Sequence, residues 1–192
     1  MKAKIAIAGD GNVGSALQKG LNRAGYEATA VGREPARLRQ KALEAGVIVL
    51  AVPYAAIDET LREIGDAVNG KILIDATNRL TKDMHLAQGA SSGAEELQKK
   101  APKAKVVKAF NTTFAGTMSQ GTARGEKITI FAASDDKEAR KAVAQIARDV
   151  GFDAVEAGPL RNALYLEALA VLNIQLAYPE GLGADMGFRL IR

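Results

Sequence analysis

One junction constrains this chain more than any other: the run Lys4-Ile5-Ala6-Ile7-Ala8 passes directly into Gly9-Asp10-Gly11-Asn12-Val13-Gly14. A short apolar run of this kind suits a buried strand. The pattern that follows, from about Asn12 to Ala24, places Val13, Ala16, Leu17 and Leu21 on one face of a helix. Glycine supplies what three positions of the turn need. Gly9 permits a tight turn, Gly11 lets backbone approach a phosphate with no Cβ in the way, and Gly14 lets the helix pack close to the strand. The helix start adds unpaired N–H groups and a positive dipole end, which favour an anion. A glycine-rich turn that binds nothing has the same spacing; the strand before and the amphipathic helix after favour a pyrophosphate.

Alternation of this kind continues along the chain. Further strands are expected at Glu27–Val31, Val47–Val52, Lys71–Asp75, Lys105–Ala109, Lys127–Ala132 and Phe152–Glu156. Between them come helices from Pro35 to about Ala45, Ile57–Ile64, Ala94–Lys100 and Ser134 to Val150, and after them Asn162–Leu176. Pro35 suits a first helical turn, and Asp135 and Glu138 are spaced as a capping box. Thr77–Gly93 and Asn111–Gly125 read as polar loops. Parallel neighbours need crossovers, so the pattern predicts an α/β, Rossmann-like doubly wound and mostly parallel sheet with helices on both faces. A single domain over residues 1–192 is expected, with a C-terminal helix and tail from about residue 160. Leu164, Leu169, Leu172 and Leu176 are expected to face the core, and Met186 and Phe188 to pack or to touch another subunit.

Ligands of such sheets sit at the carboxyl ends of the strands, so each strand end is a candidate site. The second strand ends Val31-Gly32-Arg33-Glu34. Arg33 stands where an acid would grip the ribose of NAD, and a guanidinium there favours a 2′-phosphate, hence NADP. Glu34 is an alternative acid, and Arg37 and Arg39 add positive charge. Ala51, Val52, Pro53 and Tyr54 bring rigid backbone and a ring to the third strand end. Asp75 suits a turn, while Ala76, Thr77 and Asn78 bring groups able to meet ribose or carboxamide. Phe110 and Asn111 end the fifth strand, in a run that also suits a simple cap.

Composition narrows the chemistry. Hydrophobic residues make up 47% and charged ones 25%, which argues against disorder. Without cysteine there are no disulfides, thiolate nucleophiles or iron–sulfur clusters, and with His85 the single histidine no metal site is expected. His85 lies in a polar loop and reads as a surface residue; no catalytic residue stands out. The net charge is +4, but Lys and Arg interleave with Asp and Glu, and aromatics are only 5%, so no nucleic-acid partner is expected. The apolar run at the start stops at Gly9-Asp10, too soon for a signal peptide. Val47 to Ile57 is interrupted by Pro53 and too short to cross a bilayer, so a cytoplasmic protein without a membrane partner is expected. Only about thirty residues follow the last strand, too few for a substrate domain that would supply an acid or base. A planar redox acceptor suits such a plan, because it needs mainly orientation.

Taken in order, Gly9–Gly14, Val31-Gly32-Arg33, Ala51-Val52-Pro53, Lys108-Ala109-Phe110-Asn111 and Ala157-Gly158-Pro159-Leu160 resemble the coenzyme F420-dependent NADP oxidoreductases. The similarity runs over nearly the whole chain and extends to the reductase domain of ferric-reducing membrane proteins of animals. It implies NADP(H) on Gly9–Gly14 and Gly32-Arg33, with hydride passing between nicotinamide and a small-molecule redox acceptor, coenzyme F420 or a flavin such as FMN or FAD. The chain departs from the family twice. Only thirteen residues separate Arg33 from Val47, so the usual third strand is absent, and Asn111 stands where the F420 enzymes place a histidine. The apolar last helix and tail suit a homodimer. The same glycines also suit a non-catalytic NADP(H) sensor, or a reductase of a small carbonyl or imine that would use His85.

Overall fold

The fold, taken from a computed structural model, is described for residues 2–81, 83–87, 89 and 91–192. Strands β1 (Lys4–Ala8), β2 (Glu27–Val31), β3 (Val47–Leu50), β4 (Ile72–Asp75) and β5 (Lys105–Lys108) form a parallel sheet in the order β2-β1-β3-β4-β5. Helices α1 (Asn12–Arg23), α2 (Pro35–Glu44), α3 (Ile57–Ile64) and α4 (Gly93–Lys100) make the crossovers. Period-two alternation divides the strand residues between two cores. Ile5, Ile7, Val47, Val49, Ile74 and Val107 face the side covered by α1 and by α6 (Lys137–Val150). Ala8, Ile48, Leu50, Leu73 and Val106 face the side covered by α2, α3 and α4. Covering both faces is what lets β3 read Val-Ile-Val-Leu with all four residues buried.

The segment after Arg33 is taken up by α2 alone, and β3 pairs directly with β1, so β2 forms the edge of the sheet, as the shortened spacing implies. Several expectations need correcting. The stretch from 111 to 125 is not one loop: it carries a short helix α5 (Ala115–Met118) and β6 (Thr122–Ala123), which pairs with β7 (Glu126–Lys127). The next strand, β8 (Thr129–Ala132), therefore starts later than Lys127. It runs parallel to β9 (Asp153–Glu156) and touches the main sheet through a Lys108–Ala133 bridge, with N–H···O distances of 2.9 and 3.0 Å. Asp135 does not begin the capping box of α6. Asp136 is the cap, accepting from Ala139 N at 2.8 Å, while Asp135 accepts from Leu160 N at 3.0 Å.

Helix α7 (Ala163–Ala177) is turned the other way from the leucine face expected. Its buried residues are Ala163, Leu166, Glu167, Ala170, Asn173 and Ala177, whereas Leu172 is exposed and Leu164, Leu169 and Leu176 are half-exposed. Polar partners explain the rotation: Glu167 and Asn173 find hydrogen bonds inside the protein that an outward face would forfeit. The tail then returns along β8, where Thr129 N donates to Phe188 O at 2.8 Å. Among the described residues no helix is long and apolar enough to cross a membrane.

Candidate functional site

The sheet order lays the strand ends out in one line: Gly32-Arg33, the glycine turn, Ala51–Tyr54, Ala76–Asn78 and Phe110-Asn111. Four interstrand steps of about 4.8 Å make this edge roughly 19 Å long. Each glycine of the turn has its own geometric reason. Gly9 has φ +104°, and a Cβ there would lie 2.4 Å from Ala51 O. A Cβ on Gly14 would lie 1.9 Å from Gly9 O, so the close approach of α1 to β1 admits only glycine. Around the Cβ position of Gly11 there is nothing within 4 Å. Gly11 also begins α1 without a side-chain cap, leaving the first N–H groups of the helix without a side-chain acceptor. Open space over Gly11 beside a helix start is a cradle that a Cβ would partly fill, and its donors suit a pyrophosphate.

At the β2 end, Arg33 is exposed and has no ion pair or hydrogen bond among the described residues. Its neighbours are otherwise engaged. Arg37 pairs with Glu34 at 2.9 Å, and Arg39 donates to Ile64 O at 3.2 Å, capping the end of α3. Asp10 lies across this corner, its carboxylate against Gly32. At the β3 end, Gly9 sits under Ala51 O and Val52 Cγ1, Pro53 is exposed, and Tyr54 is half-buried with its hydroxyl bound to Glu96. Burial and then the Glu96 carboxylate push the Tyr54 hydroxyl well above the ordinary phenol range, so Tyr54 keeps its proton.

Beneath the β4 and β5 ends lies a group that the sequence reasoning missed. Lys108 Nζ donates to Asp75 Oδ2 at 2.9 Å, Glu167 Oε1 at 3.0 Å and Thr77 O at 2.7 Å, and all three charged side chains are 0% exposed. Each carboxylate has further donors. Asp75 accepts from Thr77 N and Oγ1 at 2.9 and 2.7 Å, so it does form the expected turn, and Thr77 spends its hydroxyl proton inward. Glu167 accepts from Gly93 N at 3.0 and 3.2 Å, placing its charge on the positive end of α4. One buried cation thus joins β4, β5, the segment after β4 and α7. The available signals were a lysine inside the apolar run Val106-Val107-Lys108-Ala109 and a lone Glu in an apolar helix. Neither names its partner, since the partners lie 33 and 59 residues away along the chain.

Above this cluster, Asn78 and Asn111 hold each other. Asn111 Nδ2 donates to Asn78 Oδ1 at 2.9 Å and to Leu166 O at 3.0 Å, while Asn78 Nδ2 donates to Asn111 O at 3.0 Å. Phe110 gives Asn111 its place by adopting φ +67°, a conformation costing roughly 1–3 kcal/mol for a non-glycine residue. Its ring is buried edge-to-face against Phe152, with centroids 6.0 Å apart, which holds the strained residue. Beyond Asn78, Arg79 organises the loop, donating to Glu96 at 2.6 Å, Ser91 O at 2.9 Å and Ala87 O at 3.2 Å. Lys82, Gln88 and Ala90 of this loop lie outside the described residues. His85 is exposed, and among the described residues only its backbone is engaged, with Thr81.

Comparison with known proteins decides the family. Residues 4–79 match the family described as NADP oxidoreductase coenzyme F420-dependent. The F420-dependent NADP reductase of Methanothermobacter thermautotrophicus is 31% identical over 172 residues, covering 84% of this chain and 72% of that protein. The chain belongs to the F420-dependent NADP oxidoreductase family. A solved structure from Arthrobacter sp. FB24, described as a candidate F420-dependent NADP reductase, superposes with a TM-score of 0.88 and 27% identity over 100% of both chains. Rat metalloreductase STEAP3 is 27% identical over 86% of the chain. That match spans 36% of the metalloreductase, so the chain corresponds to about a third of that protein.

Proposed function

We propose that the protein is an oxidoreductase that moves a hydride between NADP(H) and a deazaflavin of the F420 type or a flavin. Bound NADPH supplies a hydride at nicotinamide C4; the acceptor takes it with one proton from solvent, leaving NADP⁺ and the reduced acceptor. The chain's own residues bind and orient. Gly9, Gly11, Asn12, Val13 and Gly14 receive the pyrophosphate on backbone N–H groups, with Asp10 and Gly32 beside them, and Arg33 meets the 2′-phosphate. Ala51, Val52, Pro53 and Tyr54 line the middle of the groove. Ala76, Thr77, Asn78, Phe110 and Asn111 form the floor under the reacting ring. The whole chain serves as one dinucleotide-binding domain.

The observation that carries this reading is that the charged groups at the floor are committed to one another. Lys108 is sealed among Asp75, Thr77 O and Glu167, and Tyr54 keeps its proton against Glu96. A floor of this kind holds a ring in place rather than passing protons, which suits an acceptor that brings its own electronics. The outward face of α7, with Tyr165 70% exposed and Leu172 49%, is the surface offered for a homodimer, and sedimentation at micromolar concentration reads it as a dimer mass. The protein acts in the cytoplasm, where reduced dinucleotide is at hand. Function is tested by following NADPH oxidation with F420, FMN and FAD in turn, beside Gly11→Ala. The reading requires turnover with at least one acceptor and a higher KM for NADPH in the variant; binding without turnover on any of them would make the protein a sensor.

A further inference from the structure

We infer that Asp10 reads the adenosine ribose from the glycine turn and sets how strongly the protein prefers a 2′-phosphate to a 2′-hydroxyl. The inference rests on the dinucleotide reading above. In sheets of this kind the discriminating side chain comes from the end of the second strand, an acid for a ribose hydroxyl or an arginine for a phosphate. Here that strand ends at Val31 and is followed by Gly32, whose glycine is not demanded by backbone conformation, because its φ is not positive. The space beside it is taken by Asp10. A Cβ on Gly32 would lie 2.5 Å from Asp10 Oδ2 and 2.7 Å from both Oδ1 and Cγ. The carboxylate therefore fills the space a side chain at position 32 would take, and an acid reaches this corner from the turn after the neighbouring strand.

The backbone under Asp10 is held in place. Gly9 N donates to Val31 O at 2.8 Å, and Ser15 Oγ donates to Asp10 O at 2.7 Å. The side chain itself is exposed and has no hydrogen-bond or ion partner among the described residues. Beside it stands Arg33, equally without one, while Arg37 and Arg39 are occupied by Glu34 and Ile64 O. One corner thus holds a free carboxylate and a free guanidinium with opposite demands. The carboxylate accepts from ribose hydroxyls and repels a phosphate; the guanidinium does the reverse. Arg33 confers a preference for NADPH, and Asp10 blunts it enough that NADH is also bound.

Calorimetric titration of the full chain with NADPH and with NADH tests this, on the wild type, Asp10→Asn, Arg33→Ala and Gly32→Ala. Asp10→Asn is expected to tighten NADPH about tenfold while NADH holds or weakens, since removing a like charge next to the phosphate favours that ligand alone. Arg33→Ala is expected to turn the preference toward NADH. Gly32→Ala keeps the charge but must displace it, and is expected to shift the ratio in the direction of Asp10→Asn by a smaller factor. Asp10 is exposed, so melting temperatures serve as the check that the variants fold alike. An NADPH-to-NADH ratio unchanged in Asp10→Asn, with both still bound, overturns this inference and leaves the function standing. Failure of the wild type to bind either dinucleotide overturns both.

Discussion

The glycine turn and the floor under β4 and β5, the two ends of the proposed dinucleotide site, are built by opposite means. The turn works with backbone: three glycines within six residues, of which Gly9 and Gly14 are placed by close contacts with neighbouring backbone and Gly11 is left open. The floor works with side chains: Asp75, Lys108 and Glu167 come from two strands and the last long helix, and they close only when the whole chain has folded. A site of the first kind is local and tolerant of what happens elsewhere. One of the second kind ties ligand geometry to global stability.

Breaking the floor has the largest expected effect. Lys108→Met removes the cation and leaves two buried carboxylates facing each other. A loss of about 3–5 kcal/mol in urea unfolding is expected. Lys108→Met combined with Glu167→Gln should recover part of it, because one stranded charge is removed as well; no recovery would mean that the three groups do not act as a unit.

Gly14→Ala comes next. Its methyl would stand 1.9 Å from Gly9 O, a backbone atom that cannot step aside. A stability loss of about 1–3 kcal/mol is expected, with dinucleotide binding lost as well, because α1 must move away from β1. Gly11→Ala separates the two effects. With nothing within 4 Å of the added methyl, the melting temperature should hold while NADPH affinity falls by about tenfold or more. Equal affinity in Gly11→Ala would remove the phosphate from over this residue.

The smallest effect belongs to a local device within the second half of the chain. Asp136 caps α6, and the Ala139 N–H and then Lys105 hold its carboxyl below its usual value. Its contribution is present above the unfolded carboxylate value near 3.9 and is lost as pH falls through the lowered folded value. Asp136→Ala should cost about 1 kcal/mol at neutral pH. The two proteins should converge in stability toward pH 2; a gap constant with pH would mean that the charged cap contributes nothing.

The same contrast explains what could be seen in the sequence. Strands and helices up to β5 were legible within a residue or two, because apolar periodicity and Gly9–Gly14 are local signals. The missing third strand was legible from a count of residues between Arg33 and Val47. The face of α7 was not, since four leucines outweigh one Glu and one Asn in any apolar pattern, and only the distant Lys108 and Thr112 O explain why Glu167 and Asn173 turn inward. Asp135 was a plausible cap by spacing, but Leu160 N, 25 residues on, claims it. In the candidate site, Arg33 and the glycines could be singled out from the sequence. The restraint of Arg39 by Ile64 O, the Asn78–Asn111 pair and the strained Phe110 required the fold.

Isotope transfer tests the central proposal most directly. NADPH carrying deuterium at nicotinamide C4, one preparation for each face, is mixed with the protein and F420, and the reduced acceptor is weighed by mass spectrometry. A deazaflavin accepts at carbon, so the label does not wash out into water. The account predicts one deuterium in the reduced acceptor from one of the two preparations, formed more slowly at sub-saturating NADPH when the protein is replaced by Gly11→Ala. NADPH that binds tightly yet yields unlabelled acceptor from both preparations would contradict direct hydride transfer on this site.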